Sequence, residues 1–421
     1  MAPDPPSATT SLESPRIGLV TAHRDRRVWQ QARALLAAGW RAEVFPARDL
    51  ETLHVPDDLP RFAARREGHV EAAGRRTRTR LYALATRLGV RWAAPVYQSL
   101  RARFRPLAEG IAAKHRERLL AAHYDLVIAH DPPTLPLCAA VAAETRAQVV
   151  YDSHELYPEQ ALLSSYARRY WSQVEMAYIG SAALVVTVSQ GIAEELARRH
   201  RLARLPFVLP NVCHYRPRPQ RPGRLAELYR LPEGKPIVLC QGGLMPRRGL
   251  ETVVEAWHHI PPPRPLLVFL GEGPLVEWVQ QRAKSRGLAG TVFVGRAVGE
   301  NELLDYTAGA DLGLIPYAQS EVTPLNTRLS SPNRLFEYLM ARLPVLASDL
   351  PEIRRVLDES RTGICATWKT AAELASHVQQ ALSWRSSISA EALEAAAQRF
   401  SFQHYEPQWL AAVAAAAQGE P

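Results

Sequence analysis

The apolar residues in the first half of the chain come in short, nearly uninterrupted runs that are rich in β-branched residues. Each run is followed by a turn and a stretch with helical spacing; residues 26–38, for example, predict a helix that ends at Gly39. Uninterrupted runs of this length are typical of parallel strands buried on both faces. The predicted strands are residues 16–20, 41–45, 126–129, 148–151 and 184–187.

The second half repeats this alternation of strand, turn and helix after a proline-rich stretch at residues 210–222. Two successive series of βαβ units predict an α/β protein with two Rossmann-like, doubly wound domains that face each other across a cleft. The predicted strands here are residues 237–240, 266–270, 292–294, 312–315 and 344–347.

These patterns also predict where the domains begin and end. A disordered tail is expected at residues 1–15, a first domain at 16–210 and a linker at 211–222. A second domain is expected at 223–400, and a helix within 401–421 is expected to cross back to the first domain.

The composition supports a soluble, two-domain protein. The chain has 421 residues, of which 47% are hydrophobic and 22% are charged. No apolar run is long enough to span a bilayer, and the start of the chain lacks the apolar core of a secretory signal. The four cysteines have no metal-binding spacing. A cytoplasmic location is the expectation.

Positive charge is concentrated in a basic helical region at residues 61–118. This region holds fourteen arginines and one lysine against four glutamates, a net charge of +11 that exceeds the +9 of the whole chain. It suits an anionic partner such as nucleic acid, lipid headgroups or an acidic acceptor, and we expect an anionic membrane surface rather than nucleic acid. The alternative is an arginine-rich, solvated face, since only four residues of the chain are lysine.

One segment of the second half carries the chemistry of a nucleotide site. Ser331 and Pro332 suit the start of a helix, with Ser331 as its cap, and free amides at a helix start attract phosphate. Glu337, one and a half turns later, offers a carboxylate for the two hydroxyls of a ribose. A phosphate site beside a ribose site predicts a nucleotide.

This segment resembles the donor-binding segment of the retaining GT-B glycosyltransferases of the family 4 type. The resemblance implies that Glu337 holds the donor ribose and that the helix start holds the diphosphate. It extends to the glycine-rich turn after residue 240 and to the ends of the next two strands. The implied donor-binding residues are Gly242, Gly243, Arg248, Gly271, Gly295, Arg296, Ser331, Asn333, Arg334 and Glu337.

The chain departs from the family pattern at two positions. The family usually has two cationic residues in this turn. Gly243 stands at the position of the first, an arginine, and Arg248 stands at the position of the second. Leu329 stands where the family has the first of two glutamates, which in relatives holds the transferred sugar. The sugar would then be held by main-chain amides around Ser330 and Ser331, or by Glu321.

Polar residues also follow the predicted strands of the first half. His130 and Asp131 come directly after one strand, and Asp152, His154 and Glu155 after the next. The resemblance places a histidine at the position of His130 close to the donor sugar, so His130 and Arg248 are the predicted catalytic residues. The predicted acceptor-binding residues are His23, Asp25, Asp131, Asp152, His154 and Glu155.

The resemblance implies a glycosyltransferase that moves a sugar from a UDP-sugar or GDP-sugar to a glycan or lipid-linked acceptor with retention of configuration. No cofactor beyond this co-substrate and no metal are expected, and the enzyme is expected in the cytoplasm or on the cytoplasmic membrane face. Two alternatives remain open: a sugar-nucleotide epimerase on the same fold, and an inactive glycan-binding or scaffold homologue. Leu329 and Gly243 favour the last.

Overall fold

The computed structural model describes residues 14–22, 26–46, 105–160, 163–218, 224–317 and 323–419. Four sequence-based predictions therefore lie outside the described residues. They are most of the tail at residues 1–15, the loop residues His23 and Asp25, the part of the basic region before residue 105, and Glu321.

The first domain is built on a parallel sheet of six described strands in the order β2-β1-β3-β4-β5-β6. The continuous apolar runs form these strands, as predicted. The strands are β1 (Arg16–Thr21), β2 (Arg41–Pro46), β3 (Leu126–His130), β4 (Gln148–Ser153), β5 (Leu184–Thr187) and β6 (Phe207–Val208).

Alternate residues of each strand enter different cores, which explains why the runs are apolar throughout. Leu126 and Ile128 of β3 pack in one cluster, whereas Val127 and Ala129 pack in another. The described helices of this domain are α1 (Arg26–Ala37), α2 (Arg105–Ala121), α3 (Leu135–Thr145), α4 (Ser165–Tyr178) and α5 (Gln190–His200).

The second domain has a matching sheet in the order β12-β11-β10-β7-β8-β9, again parallel. Its strands are β7 (Ile237–Gln241), β8 (Leu266–Leu270), β9 (Val292–Gly295), β10 (Leu312–Ile315), β11 (Val345–Ser348) and β12 (Gly363–Ala366).

Ten α-helices are described in the second part of the chain, and the last of them packs on the first domain. They are α6 (Arg224–Tyr229), α7 (Leu250–His259), α8 (Val276–Ser285), α9 (Glu300–Thr307), α10 (Leu325–Leu329), α11 (Asn333–Met340), α12 (Pro351–Ser360), α13 (Ala371–Trp384), α14 (Ala390–Arg399) and α15 (Phe402–Ala417).

The chain crosses between the domains twice, and the two crossings lie side by side. Cys213 and Ser401 form a parallel β-bridge, and the Phe402 amide donates to the Cys213 carbonyl at 2.8 Å. Helix α15 then packs on α1, β4 and β5 of the first domain, where Trp409 and Val413 are fully buried.

The structure differs from the sequence-based elements in a few places. Strand β4 runs to Ser153, so Asp152 lies inside the strand and not beyond it. Strands β6 and β12 were not predicted, because each is short and only partly buried. None of the described helices combines the length and apolar character that a membrane span requires.

Candidate functional site

Helix α11 is held against the end of β7 by Tyr338. The Tyr338 hydroxyl accepts from the Gln241 amide at 3.0 Å and donates to the Leu239 carbonyl at 3.0 Å. Its ring lies so close to β10 that a Cβ at Gly313 would come within 2.5 Å of it. This anchor fixes the first turn of α11 and Glu337 at the carboxyl ends of the strands.

The start of α11 contains buried polar atoms that have no hydrogen-bond partner. Ser331 is 3% exposed and its Oγ is unpaired; Arg334 is 5% exposed and its Nε and Nη2 are unpaired. The third guanidinium nitrogen, Nη1, donates to the Gln241 carbonyl at 3.2 Å, and the Tyr317 ring lies 4.8 Å from the guanidinium carbon. Unpaired buried donors are costly, and an anionic ligand at this place would supply the hydrogen-bond acceptors that they lack.

The predicted cap of α11 is wrong. Pro332 occupies the N-cap position and no side chain caps the helix. Since Ser331 precedes the cap, its hydroxyl is not used by the helix and stays available at the helix start.

Arg248 converges on the same place from the turn after β7. Its Nη1 and the Nη1 of Arg334 each lie 3.9 Å from the point that a Cβ on Gly242 would occupy. Gly249 follows with φ +74°, and a Cβ there would meet the Pro316 carbonyl oxygen at 1.6 Å. Glycine is therefore required at position 249, and it sets the direction in which Arg248 leaves the turn.

Glu337 lies between the two domains at this site. One carboxylate oxygen accepts from Gln241 Nε2 at 2.6 Å, and the other lies 3.4 Å from Nη1 of Arg26 in the first domain. The Nε of Arg26 is also 3.5 Å from Glu300. Arg26 thus spans the cleft beside the carboxylate that the resemblance assigns to the ribose.

The remaining predicted donor residues lie on neighbouring loops. A Cβ at Gly271 would meet the Gly242 carbonyl oxygen at 2.1 Å, so the loops after β7 and β8 touch through their backbones. Gly295 ends β9 against the Tyr229 hydroxyl, and Arg296 beside it is exposed. Asn333 is exposed at the first position of α11. The structure brings Gly242, Gly243, Arg248, Ser331, Arg334 and Glu337 together.

Across the cleft, Asp152 is engaged by Arg27 and Gln31. Arg27 donates to both carboxylate oxygens at 2.8 Å and Gln31 donates at 2.6 Å. Burial alone would raise the pKa of Asp152, but the charge and hydrogen bonds of Arg27, with His154 and His130 nearby, outweigh it and lower the pKa to about 2. Asp152 is 1% exposed and both of its oxygens accept hydrogen bonds within the first domain. Its role as an acceptor ligand stays a prediction.

The two histidines predicted from the strand ends contact each other. His130 Nδ1 lies 2.9 Å from His154 Nε2. Asp131 adopts φ +65°, and its side chain accepts from the His154 amide at 3.0 Å. Its second oxygen lies 3.7 Å from His154 Nδ1. These three side chains are all buried, at 1%, 3% and 9% exposure for His130, Asp131 and His154.

In the described part of the chain, His130, Asp152 and His154 also form a group whose potential metal-binding atoms lie within 4.8 Å of one another. The guanidinium of Arg27 already places a positive charge on Asp152, which opposes a second cation there. The geometry is therefore that of a hydrogen-bonded network. The expectation that no metal is used stays a prediction.

Two further side chains of the second domain, Asn326 and Glu352, form hydrogen bonds with the first domain. Asn326 Nδ2 donates to Glu155 at 2.7 Å and its Oδ1 accepts from the Leu156 amide at 2.8 Å. Glu155, predicted to bind the acceptor, thus contacts the second domain. On α12, Glu352 accepts from the Gly191 amide at 2.9 Å.

Leu329 belongs to this set of interdomain contacts. Its side chain packs against the first domain, where a Cβ at Gly191 would lie 3.0 Å from it, and its carbonyl accepts from the Ser189 hydroxyl at 2.5 Å. The leucine that replaces the family's first glutamate therefore has a packing role between the domains.

Sequence reasoning missed several residues at this site. Gln241 could have been found, because it directly follows a predicted strand, and so could Arg27, because it lies in the first turn of the helix that follows the first strand. Asn326 and Glu352 gave no signal, since their partners are 170 and 161 residues away in the chain.

Two family models match the chain, one on each half. "Glycosyltransferase Family 4" matches residues 25–213 and "Glycosyl transferases group 1" matches residues 235–383. The chain belongs to the family 4 glycosyltransferases. Because both models describe glycosyltransferases, the epimerase alternative is not favoured.

Solved structures of low sequence identity show that this family member has the GT-B fold. Anabaena HepE in complex with UDP is 16% identical, with a TM-score of 0.63 over 95% of this chain and 100% of that one. A glycosyltransferase from Rickettsia africae is 13% identical, with a TM-score of 0.67 over 97% and 99%. WaaG, a glycosyltransferase involved in lipopolysaccharide biosynthesis, is 15% identical, with a TM-score of 0.62 over 94% and 99%.

Curated relatives match a shorter part of the chain. A GDP-mannose-dependent α-(1-6)-phosphatidylinositol monomannoside mannosyltransferase of Mycobacterium tuberculosis is 28% identical over 191 residues, 43% of this chain and 47% of that protein. The protein of the same name from Mycolicibacterium smegmatis is 31% identical over 104 residues, 24% of this chain and 27% of that protein. The chain thus spans about half the length, or less, of the curated relatives it matches.

Proposed function

We propose that the chain transfers a sugar from a nucleoside diphosphate sugar to a glycan or lipid-linked acceptor. The observation that carries this proposal is the start of α11, where Arg334 and Ser331 are buried with unpaired donors and Arg248 approaches the same point. A diphosphate supplies the charge and the acceptor oxygens that these donors lack. Glu337, held by Gln241 beside them, suits a ribose.

Breaking the bond between sugar and diphosphate leaves negative charge on the diphosphate. The guanidinium groups of Arg248 and Arg334 and the amides at the start of α11 stabilise that charge as it develops. His130 lies at the end of β3 in the opposite domain and is the residue we place at the transferred sugar. Retention of anomeric configuration is proposed from the family alone.

We propose UDP or GDP as the donor nucleotide. The Anabaena structure contains UDP, and the mycobacterial relatives are named for GDP-mannose. Those relatives are also named for a phosphatidylinositol mannoside, which supports a lipid-linked acceptor here. The basic region at residues 61–118 would hold a cytoplasmic enzyme on the anionic membrane surface where such an acceptor lies.

Thermal unfolding of the full chain with UDP, GDP or ADP tests the donor site. A nucleotide at a hundred times its dissociation constant stabilises the fold by about 2.7 kcal/mol, a readily measured shift. We expect UDP or GDP to stabilise the protein and ADP to do so less. If none of the three raised the melting temperature at millimolar concentration, the donor site would be wrong and an inactive scaffold would be the better interpretation.

Product analysis then tests the reaction. Sugar conjugates of the nucleotide that stabilises the protein are incubated with the enzyme, with and without vesicles that carry lipid-linked acceptors. The products are analysed by mass spectrometry. Transfer is expected only in the presence of an acceptor. A changed sugar on an intact nucleotide in the absence of acceptor would indicate an epimerase.

A further inference from the structure

We propose that His154 is a positioning residue that fixes the tautomer of His130, with Asp131 as the group that orients His154. In the resulting arrangement His130 carries its proton on Nδ1, and its Nε2 is a hydrogen-bond acceptor. The link to catalysis rests on the proposed function, because that function places His130 at the transferred sugar; the tautomer itself does not depend on it.

The distance between the two rings shows that His130 and His154 form a hydrogen bond. His130 Nδ1 and His154 Nε2 are 2.9 Å apart, which is a hydrogen bond and requires one proton between them. In one arrangement, His130 donates through Nδ1–H and its Nε2 is unprotonated. In the other, His154 donates through Nε2–H and His130 carries its own proton on Nε2. The contact alone allows both arrangements.

Asp131 decides between them. Its Oδ2 lies 3.7 Å from His154 Nδ1, and its Oδ1 is held by the His154 amide at 3.0 Å, so the carboxylate cannot turn away. The lone pair of an unprotonated ring nitrogen is repelled by a buried carboxylate, whereas an N–H group that faces the carboxylate is attracted. His154 therefore carries its proton on Nδ1, and its Nε2 accepts from His130.

The other charged groups around the pair are compatible with this choice. Asp152 Oδ2 lies 3.6 Å from His130 Nδ1 and 3.8 Å from His154 Nε2. A negative oxygen near the shared proton favours neither ring strongly. Its charge is also balanced by the two hydrogen bonds from Arg27.

The backbone builds this arrangement into the fold. The Asp131 amide donates to the Asp152 carbonyl at 3.0 Å, which ties the end of β3 to β4 and brings Asp131 beside His154. Asp131 has the left-handed φ of +65° that an aspartate tolerates better than most residues.

The chemical consequence lies at His130 Nε2. A bare imidazole nitrogen accepts a hydrogen bond from a sugar hydroxyl and cannot donate one to a sugar oxygen. His154 would thus select for a hydroxyl at that place in the donor sugar. Replacement of His154 by leucine removes the hydrogen-bond acceptor for His130 Nδ1–H and leaves only the weaker attraction of Asp152 Oδ2 at 3.6 Å to favour that tautomer.

Nitrogen-15 NMR of histidine-labelled full chain tests the proposal without an assay of activity. Long-range proton–nitrogen spectra distinguish the two ring nitrogens, and loss of signals in His130→Gln identifies those of His130. We expect Nδ1 of His130 to be protonated and Nε2 bare in the parent protein. In His154→Leu the form with the proton on Nε2 should become populated, because Asp152 Oδ2 at 3.6 Å is too far to replace the lost hydrogen bond. In His154→Gln, whose amide oxygen can accept from Nδ1–H, that population should fall again.

His200→Leu is the matched control, because His200 is a histidine of the same domain that pairs with Glu175 instead. Its substitution should leave the His130 signals unchanged. A His130 with its proton on Nε2 in the parent, or an unchanged tautomer in a folded His154→Leu variant, would overturn the proposal.

Kinetics add a second readout. His154→Leu should lower kcat about three- to tenfold, the effect of one neutral hydrogen bond, with rescue by glutamine. The dissociation constant of the nucleoside diphosphate should stay the same, since His154 lies across the cleft from that site. If the chain transfers no sugar at all, the proposed function fails while the NMR result still decides the tautomer.

Discussion

The two walls of the cleft use buried charge in opposite ways. On the first domain, Arg27 and Asp152 are both nearly inaccessible and neutralise each other through two hydrogen bonds. On the second domain, Arg334 is buried to a similar degree, but within the described residues neither it nor Arg248 has an acidic partner within 4.0 Å.

This difference supports the proposal that the second domain's side of the cleft binds the diphosphate. Removing one member of a buried pair leaves an uncompensated charge, so the first wall is committed to its own structure. A buried arginine with unpaired nitrogens is the reverse: the protein tolerates a cost in the free state that a ligand removes. We therefore assign the diphosphate to the second wall, and positioning of His130 to the first.

Arg27→Met gives the largest expected effect. The variant leaves Asp152 buried without its partner, and the free energy of unfolding should fall by about 3–5 kcal/mol in urea titrations. Arg168→Met is the control, because Arg168 is half-exposed in its pair with Glu159 and should cost below about 1 kcal/mol. Equal losses in the two variants would show that the Arg27–Asp152 pair is not a structural anchor.

Arg334→Met should weaken nucleotide binding and leave the stability of the fold unchanged. Loss of a charged hydrogen bond to the diphosphate costs about 1.5–3 kcal/mol, so the dissociation constant of UDP or GDP should rise about ten- to a hundredfold in calorimetry. The free energy of unfolding should not fall, since no internal ion pair is lost. Lys235→Met, an exposed lysine of the same domain, serves as the control. Unchanged nucleotide affinity would remove Arg334 from the donor site.

Glu337→Gln tests the ribose position on the second wall and should weaken nucleoside diphosphate binding about tenfold. The 2′-deoxynucleotide should lose less affinity in the variant than the ribonucleotide, because the hydroxyl that the carboxylate binds is already absent. Calorimetry of the parent and the variant with both ligands measures the coupling free energy between the Glu337 carboxylate and the 2′-hydroxyl. The same loss for both nucleotides would contradict the ribose assignment.

Asn326→Ala perturbs the contact between the walls and should have the smallest effect. It removes the bonds to Glu155 and to the Leu156 amide, so the closed arrangement becomes less favourable. We expect the donor KM to rise about threefold, the equivalent of roughly one neutral hydrogen bond, with an increased radius of gyration in small-angle X-ray scattering. Unchanged values for both would show that this contact does not govern closure.

The candidate site was predictable to different degrees on the two walls. On the second wall the segment from Ser331 to Glu337 is contiguous, so the sequence places its residues close together wherever the helix lies. On the first domain, His130 ends β3 and His154 follows β4, and the sequence predicted that both lie at strand ends beside the cleft but not that their rings are in contact. His23 and Asp25 lie outside the described residues and stay predictions.

The sequence by itself determined the two parallel sheets and the family, because the continuous apolar runs and the α11 segment are local patterns. Only the tertiary structure decided how each buried charge is used. The pairing of Asp152 with Arg27 and the contact of Arg334 with the Gln241 carbonyl both involve residues more than 90 positions apart in the chain. Electrostatic energies follow distances in space, and those distances arise only when the strands assemble.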